Sequence, residues 1–334
     1  MKTKSKLYKL LGILALAIVV LSTIFLLGKN DKILELNQTR ILSDNLKLIE
    51  TIDAGKKVSL IKEFNDSIFF VSWSKNNQGK LFNLITNKEN NLNVHSDSLL
   101  IGDYFIETDN NLVVHNKLKN ELLKIDATGK LYNLEKMPIR ISRLYKNDSI
   151  YLLTNWDKNY KFRRFKFNPI NNSLKPLEFK DEYLNEYDLS GIALDGFFYD
   201  NERFIINLPF SLNCAYVFNK KFDLVKRIDF IYNKNEFNYQ VTSQGQLVLD
   251  SNNIHPNLSG AVDSRKLYVL VDSGTTSKRS NKYYIDIYNI ESGQYIESFE
   301  IDKLNGNKPS YFIIKENYMY LSFGEYVNKY ELLK

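Results

Sequence analysis

Two carboxylates, Asp103 and Asp195, are the residues of this sequence best suited to metal chemistry, because each falls on or near a short apolar run that the repeat pattern makes an inner strand. A calcium ion would need several such oxygens, brought together from different elements. A single carboxylate there also fits a solvated channel residue. His95, His115 and His255 are too scattered to suggest a zinc site by spacing. Cys214, the single cysteine, lies between Asn213 and Ala215, which offer no charge to stabilise a thiolate, so it reads as a buried small hydrophobe. The chain has no Gly-x-Ser-x-Gly elbow, no phosphate-cradling glycine loop and no His-Glu-x-x-His. No cofactor is expected, and an enzyme ranks behind a binding protein.

The side chains suited to binding are large and sit in polar connections: Trp73, Trp156, Tyr183, Phe210 and His255. Trp and Tyr supply contact area at low entropic cost and concentrate at interaction hot spots. With 22 Tyr and 21 Phe in 334 residues, any one aromatic also fits packing between repeats. Lys161, Arg163, Arg164 and Lys166 alternate with Phe162 and Phe165, which on a strand reads as an exposed basic face.

The elements that must position these residues are strands. Apolar runs are short, rich in Ile, Val, Phe and Tyr, and bounded by Asn, Asp, Gly and Lys. One unit, a polar turn followed by an apolar strand, occurs six times, with strands beginning at Ile68, Leu112, Ile150, Phe204, Leu267 and Tyr318. A second unit follows the first five in constant order: Phe82-Asn83, Ile125-Asp126, Phe167-Asn168, Phe218-Asn219 and Tyr288-Asn289. Asn, Asp and Gly are expected there as residues that tolerate positive φ in tight hairpins. Paired motifs repeating every ~40–60 residues are what four-stranded blades produce. The sixth copy stops one strand short, and residues 46–52 supply a matching outer strand from the other end of the chain. Pairing the two would remove an exposed sheet edge.

These motifs resemble the six-bladed β-propeller proteins of the NHL and TolB-like kind, especially the exported or membrane-anchored ones of Bacteroidota. The resemblance covers residues 45–334 and implies an all-β, six-bladed propeller. It also implies an alternative activity, since some propeller families hydrolyse lactones or esters with a metal in the central channel. In a four-stranded blade the second-to-third and blade-to-blade connections share one face. The long polar connections of this chain are of that kind, so that face is the expected binding surface.

The first thirty residues place the molecule. Residues 10–27 carry no charge and follow Lys2, Lys4, Lys6 and Lys9. Eighteen residues of helix span roughly 27 Å, close to a bilayer core. The run is long for a cleaved signal, and its small-x-small pair, Ala15 and Ala17, lies inside it, so an uncleaved anchor is favoured over secretion after cleavage. Residues 1–28 are therefore expected to form a basic cytoplasmic tail and transmembrane helix, residues 29–44 a spacer, and residues 45–334 a propeller on the extracytoplasmic, periplasmic side of the inner membrane. Lys2, Lys4, Lys6, Lys9 and Lys29 account for five of the six net positive charges, leaving 40 basic and 39 acidic residues. That balance gives no footprint for nucleic acid. The expected function is a membrane-anchored binding or scaffold module for a protein or small ligand. The alternatives are the lactonase-like hydrolase and an accessory subunit of a membrane redox or export complex.

Overall fold

The structure, a computed structural model, describes residue 36 and residues 38–333, except for 65–66, 74–77, 84, 87, 94–100, 108–110, 127–129, 148–149, 157–161, 178–194, 233–238, 242, 244–246, 250–255 and 273–281. The apolar run at residues 10–27 lies outside the described residues. Among the described residues no helix is long and apolar enough to cross a membrane.

The first strand, β1 (Leu46–Asp53), belongs to the last sheet. Sheet 1 is β2 (Leu60–Phe64), β3 (Ser67–Trp73), β4 (Gln78–Asn83) and β5 (Lys88–Asn93). Sheet 2 is β6 (Ile101–Glu107), β7 (Asn111–Asn116), β8 (Glu121–Ile125) and β9 (Leu131–Lys136). Sheet 3 is β10 (Arg143–Asn147), β11 (Ile150–Trp156), β12 (Phe162–Asn168) and β13 (Ser173–Pro176). Sheet 4 is β14 (Gly196–Asp200), β15 (Phe204–Pro209), β16 (Cys214–Asn219) and β17 (Leu224–Asp229). A hairpin, β18 (Tyr239–Val241) and β19 (Leu247–Leu249), lies in the connection to sheet 5. Sheet 5 is β20 (Asn257–Val262), β21 (Lys266–Asp272), β22 (Lys282–Asn289) and β23 (Tyr295–Asp302). Sheet 6 runs β24 (Pro309–Lys315), β25 (Tyr318–Phe323), β26 (Tyr326–Leu332) and then β1. The pairing of β1 with β26 is antiparallel, from Leu46 opposite Leu332 to Asp53 opposite Tyr326. The two ends of the folded unit thus share one sheet, as the outer-strand pattern of residues 46–52 implies.

The first strands of the sheets line a common axis. β2 neighbours β6 and β24, β6 neighbours β10, and β20 neighbours β14 and β24. Between β10 and β14 the contact is made by Tyr145 against Phe198, with ring centroids 5.6 Å apart. This ring of four-stranded antiparallel sheets is a β-propeller.

Sheets 4 and 5 are buried on both faces, which is why their central strands are continuous apolar runs. On β15, Ile206 and Leu208 pack with Leu267, Val269 and Val271 of sheet 5. Ile205, one residue out of phase, packs with Leu152 of sheet 3 and Cys214. On β21, Tyr268 and Leu270 turn the other way, onto Phe312 and Leu321 of sheet 6. Cys214 is fully buried, as expected of a small hydrophobe.

Two expectations need correction. Arg164 does not lie on an exposed basic face: it is 6% exposed, and its Nη2 donates to Oδ1 of Asn207 at 2.9 Å, bridging sheets 3 and 4. Alternation on β12 exposes Arg163 and turns Arg164 inward. The positive φ expected in the second-unit hairpins is adopted by Asn172 and Gly293 within the turns, but by none of the repeated Asn83, Asp126, Asn168, Asn219 and Asn289 themselves. Their side-chain oxygens accept backbone N–H groups just ahead, as Asn83 does from Ile85 and Thr86, and Asn219 from Lys221 and Asp223.

Residues 40–45 are laid along the outer edge of sheet 5. Ser298 N–H donates to Ile41 O at 2.8 Å, and Ser43 N–H donates to Ser298 O at 3.0 Å. Arg40 reaches in from this strap and donates through Nε and Nη2 to both oxygens of Asp286, at 2.9 and 3.0 Å.

Candidate functional site

The first strand of a sheet begins, and the second ends, on one face of the ring, so the residues flanking those points meet around the axis. Lys117 follows β7, residues 140–142 lead into β10, Asp195 precedes β14, and Phe210 follows β15. Lys117, Arg140, Ile141, Ser142, Arg143 and Asp195 line a cavity of about 260 Å³ there.

Arg143 organises the mouth. Its Nε and Nη2 donate to the two oxygens of Asp195 at 2.9 and 3.2 Å. Its own backbone N–H donates to Thr154 Oγ1 at 3.0 Å, which fixes the start of β10. The guanidinium carbon sits 5.7 Å from the ring centre of Phe197 and 5.4 Å from that of Phe210, within cation–π range. Phe197 and Phe210 meet edge to face at 4.8 Å, and Phe197 also meets Tyr311 of sheet 6 at 6.0 Å. Burial pushes the Tyr311 hydroxyl above its ordinary pKa, against the opposing pull of the Arg143 charge.

The backbone holds these groups in place. Phe210 N–H donates to Asp195 O at 2.9 Å. A Cβ on Gly196 would lie 2.0 Å from Leu208 O, so only glycine lets β14 approach β15 beside Asp195. Asn257, 2% exposed, donates to Pro209 O at 2.6 Å and Leu212 O at 2.7 Å, and accepts from the Tyr232 hydroxyl. The loop that carries Phe210 is thereby tied to sheet 5.

Of the residues singled out in the sequence, the structure brings Asp195 and Phe210 together at this mouth. Trp73 and Trp156 close β3 and β11, at the same end of their sheets, and Asp103 lies in β6. The side chains of these three are outside the described residues, as are Tyr183 and His255 altogether. Arg143, Arg140, Lys117, Phe197 and Tyr311 were missed. Arg140 and Arg143 sit together at the start of β10, the other three come from three further sheets, and only the ring makes them neighbours.

Chemically, the mouth presents three cations, one carboxylate and a cluster of rings. Both oxygens of Asp195 are already engaged by a cation, which opposes metal ligation by that residue. Among the described residues there is no group of three or more His, Cys, Asp or Glu side chains placed to hold a metal.

A β-propeller is also what the solved structures show. Virginiamycin B lyase from Staphylococcus aureus is similar over 86% of this chain and 100% of its own, at 11% identity and a TM-score of 0.51. A catalytically inactive form of that enzyme with quinupristin gives 10% identity and a TM-score of 0.52, over 86% of this chain and 100% of its own. A member of the DUF4221 family from Bacteroides vulgatus matches over 89% of this chain and 98% of its own, at 10% identity and a TM-score of 0.55. At these identities the likeness extends to the fold alone. No protein-family model matches the chain, so the resemblance to NHL and TolB-like proteins has no family match behind it. No curated protein matches it either.

Proposed function

We propose that this protein is a membrane-anchored, extracytoplasmic binding module whose axial mouth takes an acidic group of a protein or small-molecule partner. Each four-stranded sheet is read as one blade, making the propeller six-bladed. The observation that carries the reading is the cavity beside Arg143, lined by three cations, Lys117, Arg140 and Arg143, and one carboxylate, with Phe197 and Phe210 packed against Arg143. Asp195 offsets one of the three charges. The remainder favours an anion, and Arg is suited to hold a carboxylate in two-point contact. At about 260 Å³ the cavity is near the lower end of small-ligand pockets, fitting a small acid or one acidic side chain of a larger partner.

Residues 10–27 are proposed to hold the module to the inner membrane with the propeller outside, on the grounds of length, hydropathy and the basic flank. The engaged state of Asp195 weighs against the lactonase-like alternative. The likeness to a lyase brings only its fold, since no residue of that enzyme's chemistry is carried across.

The test is a photo-crosslinker at Leu118, beside Lys117, in intact membranes, with the same group at Ile85, in the turn after β4, as control. A partner-binding mouth gives adducts from residue 118 that vanish when Lys117 and Arg140 are changed to Glu. A small acid instead protects the mouth from crosslinking and raises the melting temperature of the wild type alone. Adducts equal at both positions, or indifferent to charge reversal, would overturn the reading.

A further inference from the structure

Among the described residues, five of the twelve exposed large apolar side chains fall on one strip of the rim, Ile41, Leu42, Leu48, Ile49 and Leu333, while Leu36 bridges instead to Tyr232, beyond β17. The others stand alone at turns or as singles and one pair on outer strands. The strip is continuous, because Leu42 bridges to Ser298 on β23, Leu333 N–H donates to Asn45 O at 2.9 Å, and Leu48 lies opposite Tyr330 on the edge strand of sheet 6.

Its exposure is built in. The backbone on both sides of Leu42 is bonded to Ser298, Ile41 N–H donates to the Tyr295 hydroxyl at 3.0 Å, and Arg40 is clamped by Asp286. Ile41 and Leu42 are therefore held outward, 60% and 57% exposed, by a strap that cannot fold them in. Soluble surfaces seldom gather apolar side chains in this way without a partner.

The sequence names the partner. Eight residues, 28–35, separate the apolar run 10–27 from Leu36, and at ~3.3 Å per residue such a segment spans at most about 26 Å. A tether so short holds the strip at high effective concentration against any bilayer that takes the run. Asp44, Lys47 and Glu50 flank the strip with mixed sign, so its attraction is apolar rather than electrostatic.

We propose that Ile41, Leu42, Leu48 and Ile49 rest on the bilayer surface, setting the rim of sheets 5 and 6 against the membrane. This rests on the anchored reading of residues 10–27. The axial mouth then opens along the membrane rather than toward it.

The full chain, reconstituted into phosphatidylcholine vesicles, tests this with a nitrobenzoxadiazole label on Leu42→Cys, Leu48→Cys or Val225→Cys in a Cys214→Ala background. Val225, on β17 of sheet 4, is also exposed and serves as the control. Labels at 42 and 48 are expected to be blue-shifted and quenched at least twofold by doxyl-labelled lipid, unaffected by salt, while the label at 225 shows neither. Equal behaviour at all three positions overturns the proposal. So does shielding at 42 and 48 that lipid does not quench and dilution abolishes, which would mean a second copy. If the chain does not float with the vesicles, the anchoring itself is wrong and the proposal falls with it. Should the Cys214→Ala background fold poorly, amide exchange replaces the labels. Residues 41–49 of the unlabelled wild type should then gain protection on reconstitution, and Leu42→Glu with Leu48→Glu should lose it. No gain in the wild type would overturn the proposal.

Discussion

Arg40–Asp286 and Arg143–Asp195 are the same contact placed in two different surroundings. Both use Nε and Nη2 against two carboxylate oxygens, and both guanidinium groups lie over aromatic rings, Arg40 at 4.1 Å from that of Tyr284. The strap pair is 10% and 0% exposed, with Asp286 also accepting from Ser298 Oγ at 2.5 Å. The mouth pair is 26% and 23% exposed. Burial pulls the Arg40 pKa down, and the bonds and charge of Asp286 more than reverse it, so the net shift is upward. A buried pair of this kind fixes where a segment lies. A pair open to water adds little to stability and can exchange partners, as a binding site requires.

The largest effect should come from breaking the strap pair. Arg40→Ala leaves Asp286 buried without its cation and should cost ~3–5 kcal/mol in denaturant unfolding of the full chain. Adding Asp286→Asn should recover part of that loss. If Arg143→Ala costs as much, the contrast between the two regions fails.

His115 sharpens the contrast, because it is a buried base with an amide for a partner in place of a carboxylate. Its ring contacts Asn120 Oδ1 at 3.3 Å, Nδ1 has no partner among the described residues, and the side chain is fully enclosed. Burial lowers its pKa to about 4, against the opposing effect of Asn120 and with a further push from Lys117. The unfolded chain therefore binds the extra proton between the ordinary imidazole value and about 4. Stability is full above pH ~6.5 and falls as the pH drops toward 4, by on the order of 2–3 kcal/mol. His115→Gln should flatten that slope in unfolding measured from pH 7 to 4. An unchanged slope would show that the neutral ring is not its cause.

Gly196→Ala perturbs the mouth without touching its charges. The new methyl meets Leu208 O and the start of Pro209, so a loss of about 1–3 kcal/mol is expected from overpacking. A melting temperature unchanged from wild type would mean that β14 and β15 can part at no cost.

The strand order and the closing role of residues 46–52 were legible because turn residues and apolar runs repeat in a fixed order. The strap was less so, since Arg40 sits in a stretch with no periodicity. Its partner did leave a signal: Asp286 stands between Ile285 and Ile287 inside an apolar strand, and a lone carboxylate there must find a cation or a donor set. Arg164 was misread because four basic residues in a row of six obscured the period of two. At the mouth, Phe210 was visible as a large side chain in a connection, and Asp195 as a carboxylate beside an inner strand, though as a metal ligand and not as the partner of an arginine. Arg143, Phe197 and Tyr311 come from three different sheets, and no spacing along the chain encodes their meeting.

The smallest stability effect should come from the mouth pair itself, and there the comparison is most exposed to failure. Asp195→Asn removes a half-open pair worth about 0–1 kcal/mol, so unfolding should barely move. It also frees the Arg143 guanidinium from its carboxylate while keeping an acceptor in place. If Asp195 holds Arg143 ready and competes with the ligand, the variant should bind an acidic partner several-fold more tightly. Arg143→Gln should lose that binding at similar stability. Crosslinking yield from residue 118 together with the unfolding midpoint would separate the outcomes. Tighter binding with no stability change marks a site, whereas a large stability loss with unchanged binding would make this pair a second strap.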